Sequence, residues 1–160
     1  MKSILFEVLA VSAALLWSVG PVAAAAPEEI AREKVLAAGP EWQEKYDQFQ
    51  PEAEMVDALK AKLAGGDVRI DVYLGLWCPD SRNHVPPLIK ILDRLGPTVM
   101  ARYFSVARKT SKDIPYYVED LKVERVPTFV FYRGKGEIGR IIENPKAGML
   151  EDFMEIILKE

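Results

Sequence analysis

The chain has 160 residues, 49% of them hydrophobic and 28% charged, and its 21 basic and 24 acidic side chains leave a formal charge of −3. Those proportions fit one globular domain rather than a multidomain chain, and the acidic balance offers no long-range attraction to nucleic-acid phosphates or anionic lipid. The single cysteine, Cys78, excludes an internal disulfide, a cysteine-built zinc cluster and a dithiol pair cycling within the chain.

Lys2 precedes an apolar stretch from Val8 to Val19, the breakers Gly20 and Pro21, and the small-residue run Ala23 to Ala26. This is the order of a secretory signal peptide over residues 1–25, with cleavage near Ala24 or Ala25 and an exported mature chain. The competing reading is an uncleaved N-terminal membrane anchor, because no charge interrupts Val8 to Ala26. A lipid-anchored form is excluded, since the one cysteine lies far from the cleavage region.

From Glu28 to Phe49 the pattern is helical, with Trp42, Tyr46 and Phe49 on one face and a break at Gly39 and Pro40. Residues 26–50 are therefore expected to form a helical N-terminal extension docked on a domain spanning 51–160. Met55, Val56, Leu59 and Leu63 mark a further helix, stopped by Gly65 and Gly66, and Val68 to Leu74 predicts a buried strand. After Cys78 a helix carries Val85, Leu88, Ile89, Leu92 and Leu95 to its end at Gly96 and Pro97, with Pro86 and Pro87 inside it. Strands are expected over Thr98–Val106 and Thr128–Tyr132, with a short helix over Ile114–Leu121 between them. Gly134 and Gly136 turn the chain into a strand over Glu137–Glu143, and Ala147–Lys159 closes it as a helix. Helical crossovers and one hairpin together predict an α/β fold: a mixed sheet of about four strands in three layers, with helices on both faces.

The stretch Gly75-Leu76-Trp77-Cys78-Pro79-Asp80-Ser81 stands at a strand-to-helix junction. A cysteine there faces unpaired backbone N–H groups and the positive end of the helix dipole, which favour its thiolate. Pro79 fits the first helical position, where its missing N–H costs nothing. Ser81, one turn on, is placed to donate a hydrogen bond to the sulfur, whereas the carboxylate of Asp80 opposes the thiolate.

At these residues the chain resembles the thioredoxin superfamily. Trp77-Cys78-Pro79-Asp80-Ser81 stands where the family carries Trp-Cys-x-x-Cys, and Val126-Pro127-Thr128 looks like its cis-proline loop. Pro86, eight residues after Cys78, matches the family's helix-kinking proline. The resemblance implies a thioredoxin-like fold and a peptide groove formed by Trp77, Pro79, Val126, Pro127 and Thr128. It is closest to exported bacterial members, which implies the periplasm. Three positions depart from the pattern: Ser81 replaces the resolving cysteine, Val72 takes the place of a buried acid with Asp71 one step off, and Asn144 replaces a glycine.

Without a second cysteine, a mixed disulfide on Cys78 has no internal thiol to release it. Two expectations follow. The first is monothiol thiol–disulfide exchange, isomerase-like or mixed-disulfide forming, with Cys78 as nucleophile and Ser81 as hydrogen-bond donor. It would need no cofactor but would use glutathione or another external thiol as co-substrate, and its partners would be disulfide- or thiol-bearing proteins and peptides. The second is a thioredoxin-fold module that binds a peptide or partner and catalyses nothing.

Other chemistries fit poorly. The one histidine, His84, lies six residues beyond Cys78, about 600° around a helix, so it faces away as a peptidase base would not. Gly75 occupies the position where one-cysteine peroxiredoxins carry serine or threonine. Cys78, Asp80 and His84 share no face that could hold a metal. Arg108, Lys109 and Lys112 are expected to form a solvated loop.

Overall fold

The computed structural model describes residues 26–109 and 116–159. The signal peptide or anchor expected over residues 1–25, and Lys112, lie outside the described residues. Among those described, no helix is long and apolar enough to cross a membrane.

The elements run β1 (Glu28–Ile30), α1 (Arg32–Leu36), α2 (Pro40–Gln48), α3 (Ala53–Lys62), β2 (Val68–Leu74), α4 (Pro79–Leu95), β3 (Val99–Ser105), β4 (Thr128–Arg133), β5 (Gly136–Ile142) and α5 (Met149–Leu158). The strands form one mixed sheet in the order β1-β3-β2-β4-β5. β2 pairs parallel with β3 through the α4 crossover and antiparallel with β4, while β4 and β5 form a hairpin. The α/β class and the mixed sheet of a thioredoxin-like fold are therefore present.

The N-terminal segment differs from the helical extension expected for it. Glu28–Ile30 is an edge strand, antiparallel to β3, and raises the strand count to five. Trp42 is buried in the main core, with Tyr46 and Phe49 packed against it. Polar contacts seat the same region on α4, where the carboxylate of Asp93 accepts from Tyr46 Oη at 2.6 Å and from Arg32.

Alternation along the strands separates two faces. Ile70, Val72 and Leu74 of β2, with Phe129 and Phe131 of β4, point into the main core, to which all five described helices contribute. Phe131 meets Phe153 of α5 there, with ring centroids 4.9 Å apart. Pro86 and Pro87 lie within the unbroken span of α4, both buried, and Gly96 ends it at φ +72°, a conformation suited to glycine.

The opposite face carries Tyr73, Val130 and Tyr132, met by Tyr117, Val118, Leu121 and Val123. A short helix was expected across Ile114–Leu121 to build a third layer on this side. Its described part, 116–121, is instead a turn closed by a bridge between Val118 and Val123. From this turn Tyr117, Val118 and Leu121 pack against the Tyr73, Val130 and Tyr132 face. Asp71 also points to this side, 3% exposed, where it accepts from Arg102 Nε at 2.9 Å, Arg102 Nη2 at 2.6 Å and Arg69 Nε at 3.1 Å.

Candidate functional site around Cys78

Cys78 is the residue immediately before α4, in extended conformation (φ −92°, ψ 124°). Its carbonyl accepts from Arg82 N–H at 3.1 Å, the first turn of the helix, and its own N–H donates to Gly75 O at 2.9 Å. Pro79 occupies the first helical position and is exposed. The strand-to-helix turn thus delivers the sulfur to the carboxyl end of β2, where helix N–H groups open toward it.

The second wall is the loop before β4. The Val126–Pro127 peptide bond is cis, and the thiol of Cys78 donates to Val126 O at 3.1 Å. Cys78 is 7% exposed and packs with Val106 and Val126, against Trp77, Tyr117 and Val118. Thr128, also buried, spends its hydroxyl on Arg125 O at 2.7 Å, which closes the turn that carries Pro127. Beyond that turn, a cavity of about 310 Å³ is lined by Lys122, Arg125, Thr128 and Glu143, among others.

Ser81 is placed differently from its expected role. Its hydroxyl oxygen, fully buried, accepts from Gly75 N–H at 3.2 Å, and no hydrogen bond joins it to the sulfur. The reason is geometric: the turn at Gly75 folds its N–H back over the first turn of α4, leaving a buried donor that Ser81 satisfies. Ser81 therefore fixes the turn that presents Cys78 rather than touching the reacting atom.

Trp77 forms the outer wall. Its Nε1–H donates to Val106 O at 3.1 Å, and its ring lies 6.1 Å from that of Tyr117. A Cβ on Gly75 would stand 2.7 Å from the Trp77 ring, so glycine is what lets the indole fold back over the strand end. Burial raises the Tyr117 phenol above its ordinary pKa, and neighbouring Cys78 adds to the effect.

The loop cations expected to be merely solvated are engaged here. Arg108 lies with its guanidinium carbon 4.7 Å from the centre of the Trp77 ring. Lys109 sits 4.2 Å from the centre of the Tyr117 ring and donates to Glu124 O at 2.9 Å, and desolvation lowers its pKa. Sequence reading missed these contacts, together with Val106 and Tyr117, because the chain distance between them and Cys78 leaves no local pattern to detect.

The remaining singled-out residues brace the loops. His84 Nε2 lies 2.8 Å from Asn144 Oδ1, tying α4 to the loop after β5. The left-handed residue in that loop is Glu143 (φ +58°) rather than Asn144. Glu143 donates its N–H to Pro127 O at 2.7 Å, and its carboxylate accepts from Arg125 Nη1 at 2.6 Å.

Comparison with known proteins bears on the fold and the family. Among solved structures, similar folds include a protein of unknown function from Pseudomonas aeruginosa (19% identity, TM-score 0.52) and an HIV epitope-scaffold (18% identity, TM-score 0.52). Each comparison covers 80% of this chain and 86% of the other. Thioredoxin O2 from Arabidopsis thaliana matches with 21% identity and a TM-score of 0.41, over 62% of this chain and 86% of its own. The comparison with curated proteins gives no match. A family model described as thioredoxin matches residues 25–154, nearly the whole described chain including the N-terminal strand and α2, and the chain belongs to that family.

Proposed function

We propose that this protein carries out monothiol thiol–disulfide exchange at Cys78 in an exported compartment and depends on an external thiol for release. The observation that carries the reading is the meeting of Cys78, at the start of α4, with the cis Val126–Pro127 loop, sulfur to carbonyl at 3.1 Å. A peptide disulfide entering beside Trp77 would find the nucleophile and a backbone edge in one place. The Cys78 thiolate attacks one sulfur of the disulfide, a mixed disulfide forms, and the other sulfur leaves as a thiolate that takes up the proton Cys78 lost. An external thiolate then attacks the bound partner's sulfur and Cys78 leaves, so the cycle has no net oxidant or reductant. Ser81 cannot take the external thiol's place, because a hydroxyl is a poor nucleophile at neutral pH and this one is committed to Gly75. The signal-like order of residues 2–26 supports export, and the exported bacterial resemblance supports the periplasm.

Incubation with glutathione disulfide, followed by intact-mass measurement, tests the reading. The expected result is a single glutathione adduct that reduced glutathione removes and that Cys78→Ser abolishes. A native protein that takes up no adduct overturns it.

One observation favours a second reading, a binding module without turnover. Cys78 is 7% exposed and its S–H is engaged by Val126 O, so a partner could seat on the Trp77 and Pro127 surface without reaching the sulfur. The same mass measurement separates the two.

A further inference from the structure

Arg108 stands out from the other cations near Cys78 in that, among the described residues, an aromatic ring is its one partner. Arg82 pairs with Glu41 at 3.9 Å, Arg125 with Glu143 at 2.6 Å, and Lys109 is held by Glu124 O and the Tyr117 ring. Arg108 is exposed, stacks over Trp77 at 4.7 Å, and among the described residues has no hydrogen-bond or ion-pair partner. Stacking on a ring leaves the in-plane N–H donors of a guanidinium unused, and those donors match a carboxylate in geometry and charge. The ring beneath is itself pinned by its bond to Val106 O, so the guanidinium is held beside the residue adjoining Cys78 rather than sweeping through solvent. Glycine at position 75 is what allows that seat.

We infer that Arg108, seated on Trp77, is a specificity-determining residue that selects disulfides carrying a carboxylate close to the reacting sulfur. The inference rests on the exchange reading above and names its substrate class. In the attack, Cys78 bonds to the partner's near sulfur and the far sulfur departs with the proton, while Arg108 pairs with the partner's carboxylate before and after the step. Arg108 therefore acts on binding and orientation and takes no part in bond making. Asp80 and Glu124, the nearby acids, repel the same carboxylate, so the selectivity is a modest net attraction rather than a deep anion site.

The test compares the full-length protein with Arg108→Gln on three small disulfides: glutathione disulfide, which is anionic, hydroxyethyl disulfide, which is neutral, and cystamine, which is cationic. Rates of adduct formation are read as the ratio of native to variant, which cancels the intrinsic reactivity of each disulfide. Exposed ion pairs of this kind correspond to about a two- to five-fold effect. The ratio should rise to that range for the anionic probe, stay near one for the neutral probe and fall below one for the cationic probe. High salt should bring all three together. A second arm uses disulfide-linked peptides with Glu or Lys beside the cysteine. A charge effect there assigns the carboxylate to a peptide partner, and its confinement to glutathione disulfide assigns it to a small acidic thiol. Equal ratios across the three small probes overturn the inference while leaving exchange intact. Absence of adduct with every probe overturns exchange itself, and the inference with it.

Discussion

Replacing Ser81 with alanine should separate a structural role from a chemical one. The Ser81 hydroxyl oxygen is the acceptor for Gly75 N–H at 3.2 Å, and both residues are buried. Ser81→Ala leaves that N–H without a partner in a place water does not reach, at a cost of about 1–2 kcal/mol for a neutral buried donor. The lost volume is a single oxygen, so the cavity adds little. With a urea dependence of about 1–3 kcal/mol per molar for a domain of this size, the unfolding midpoint should fall by about 0.3–2 M with an unchanged slope. The rate of adduct formation with glutathione disulfide should stay within about two-fold, since a neutral hydroxyl that does not touch the sulfur stabilises no charge on it. A midpoint at the native value would refute the assignment of the Gly75 contact. A large loss of rate at unchanged stability would restore Ser81 as the donor to the thiolate.

Ser81→Cys, reduced beforehand, should reduce a disulfide-bonded protein with no thiol added, measured by single-turnover thiol release and mass, and full reduction by the native chain under the same thiol-free conditions would contradict the dependence on an external thiol. Asp71→Asn should destabilise the fold by about 1–3 kcal/mol in urea unfolding, below the usual cost of breaking a buried pair because Arg69 and Arg102 are partly exposed and can turn to water. Gly75→Ala should displace the indole, given the 2.7 Å approach, and a shift in Trp77 fluorescence should report it. Burial, with Asp71 nearby, pushes Tyr73 up to about 12. Because the unfolded tyrosine ionises near 10 and the folded one does not, its contribution to stability is whole below about pH 10 and is lost as pH rises toward 12. Alkaline unfolding of the native protein should therefore be steeper over that range than that of Tyr73→Phe.

What could be read from the sequence was whatever local chemistry decides. Val68–Leu74 is bounded by a glycine pair and by Gly75, and the observed strand has the same limits. The start of α4 follows from Pro79, and its end from Gly96. What failed depends on partners distant in the chain. Glu28–Ile30 is charged, three residues long and continuous in pattern with the helices after it, so only its pairing with β3 makes it a strand. The 116–123 segment owes its shape to backbone bonds between Tyr117 and Val123 and between Val123 and Val118. At the site, Cys78, Trp77, Pro79 and Pro127 were legible because the strand-to-helix turn and the proline loop each carry their own signal. The partner of Ser81 was not, because its hydroxyl can donate to the nearby sulfur or accept from a backbone N–H, and only the path of the backbone at Gly75 chooses between them.

Asp71 has a consequence for how the sheet finds its alignment. Its register partner in β3 is Arg102, so the ion pair forms across the central parallel ladder, flanked in β2 by Ile70 and Val72. A one-residue slip of β2 would carry every side chain to the other face, placing the carboxylate and Arg69 among Phe129, Phe131 and Leu88 while putting Ile70 and Val72 beside the guanidinium of Arg102. Both errors are costly, and neither strand's apolar content alone penalises them so sharply. The acid that sits one step from the family's usual position thus acts as a key for pairing: it lets β2 and β3 close in one alignment only, which keeps Cys78, at the end of β2, opposite the proline loop.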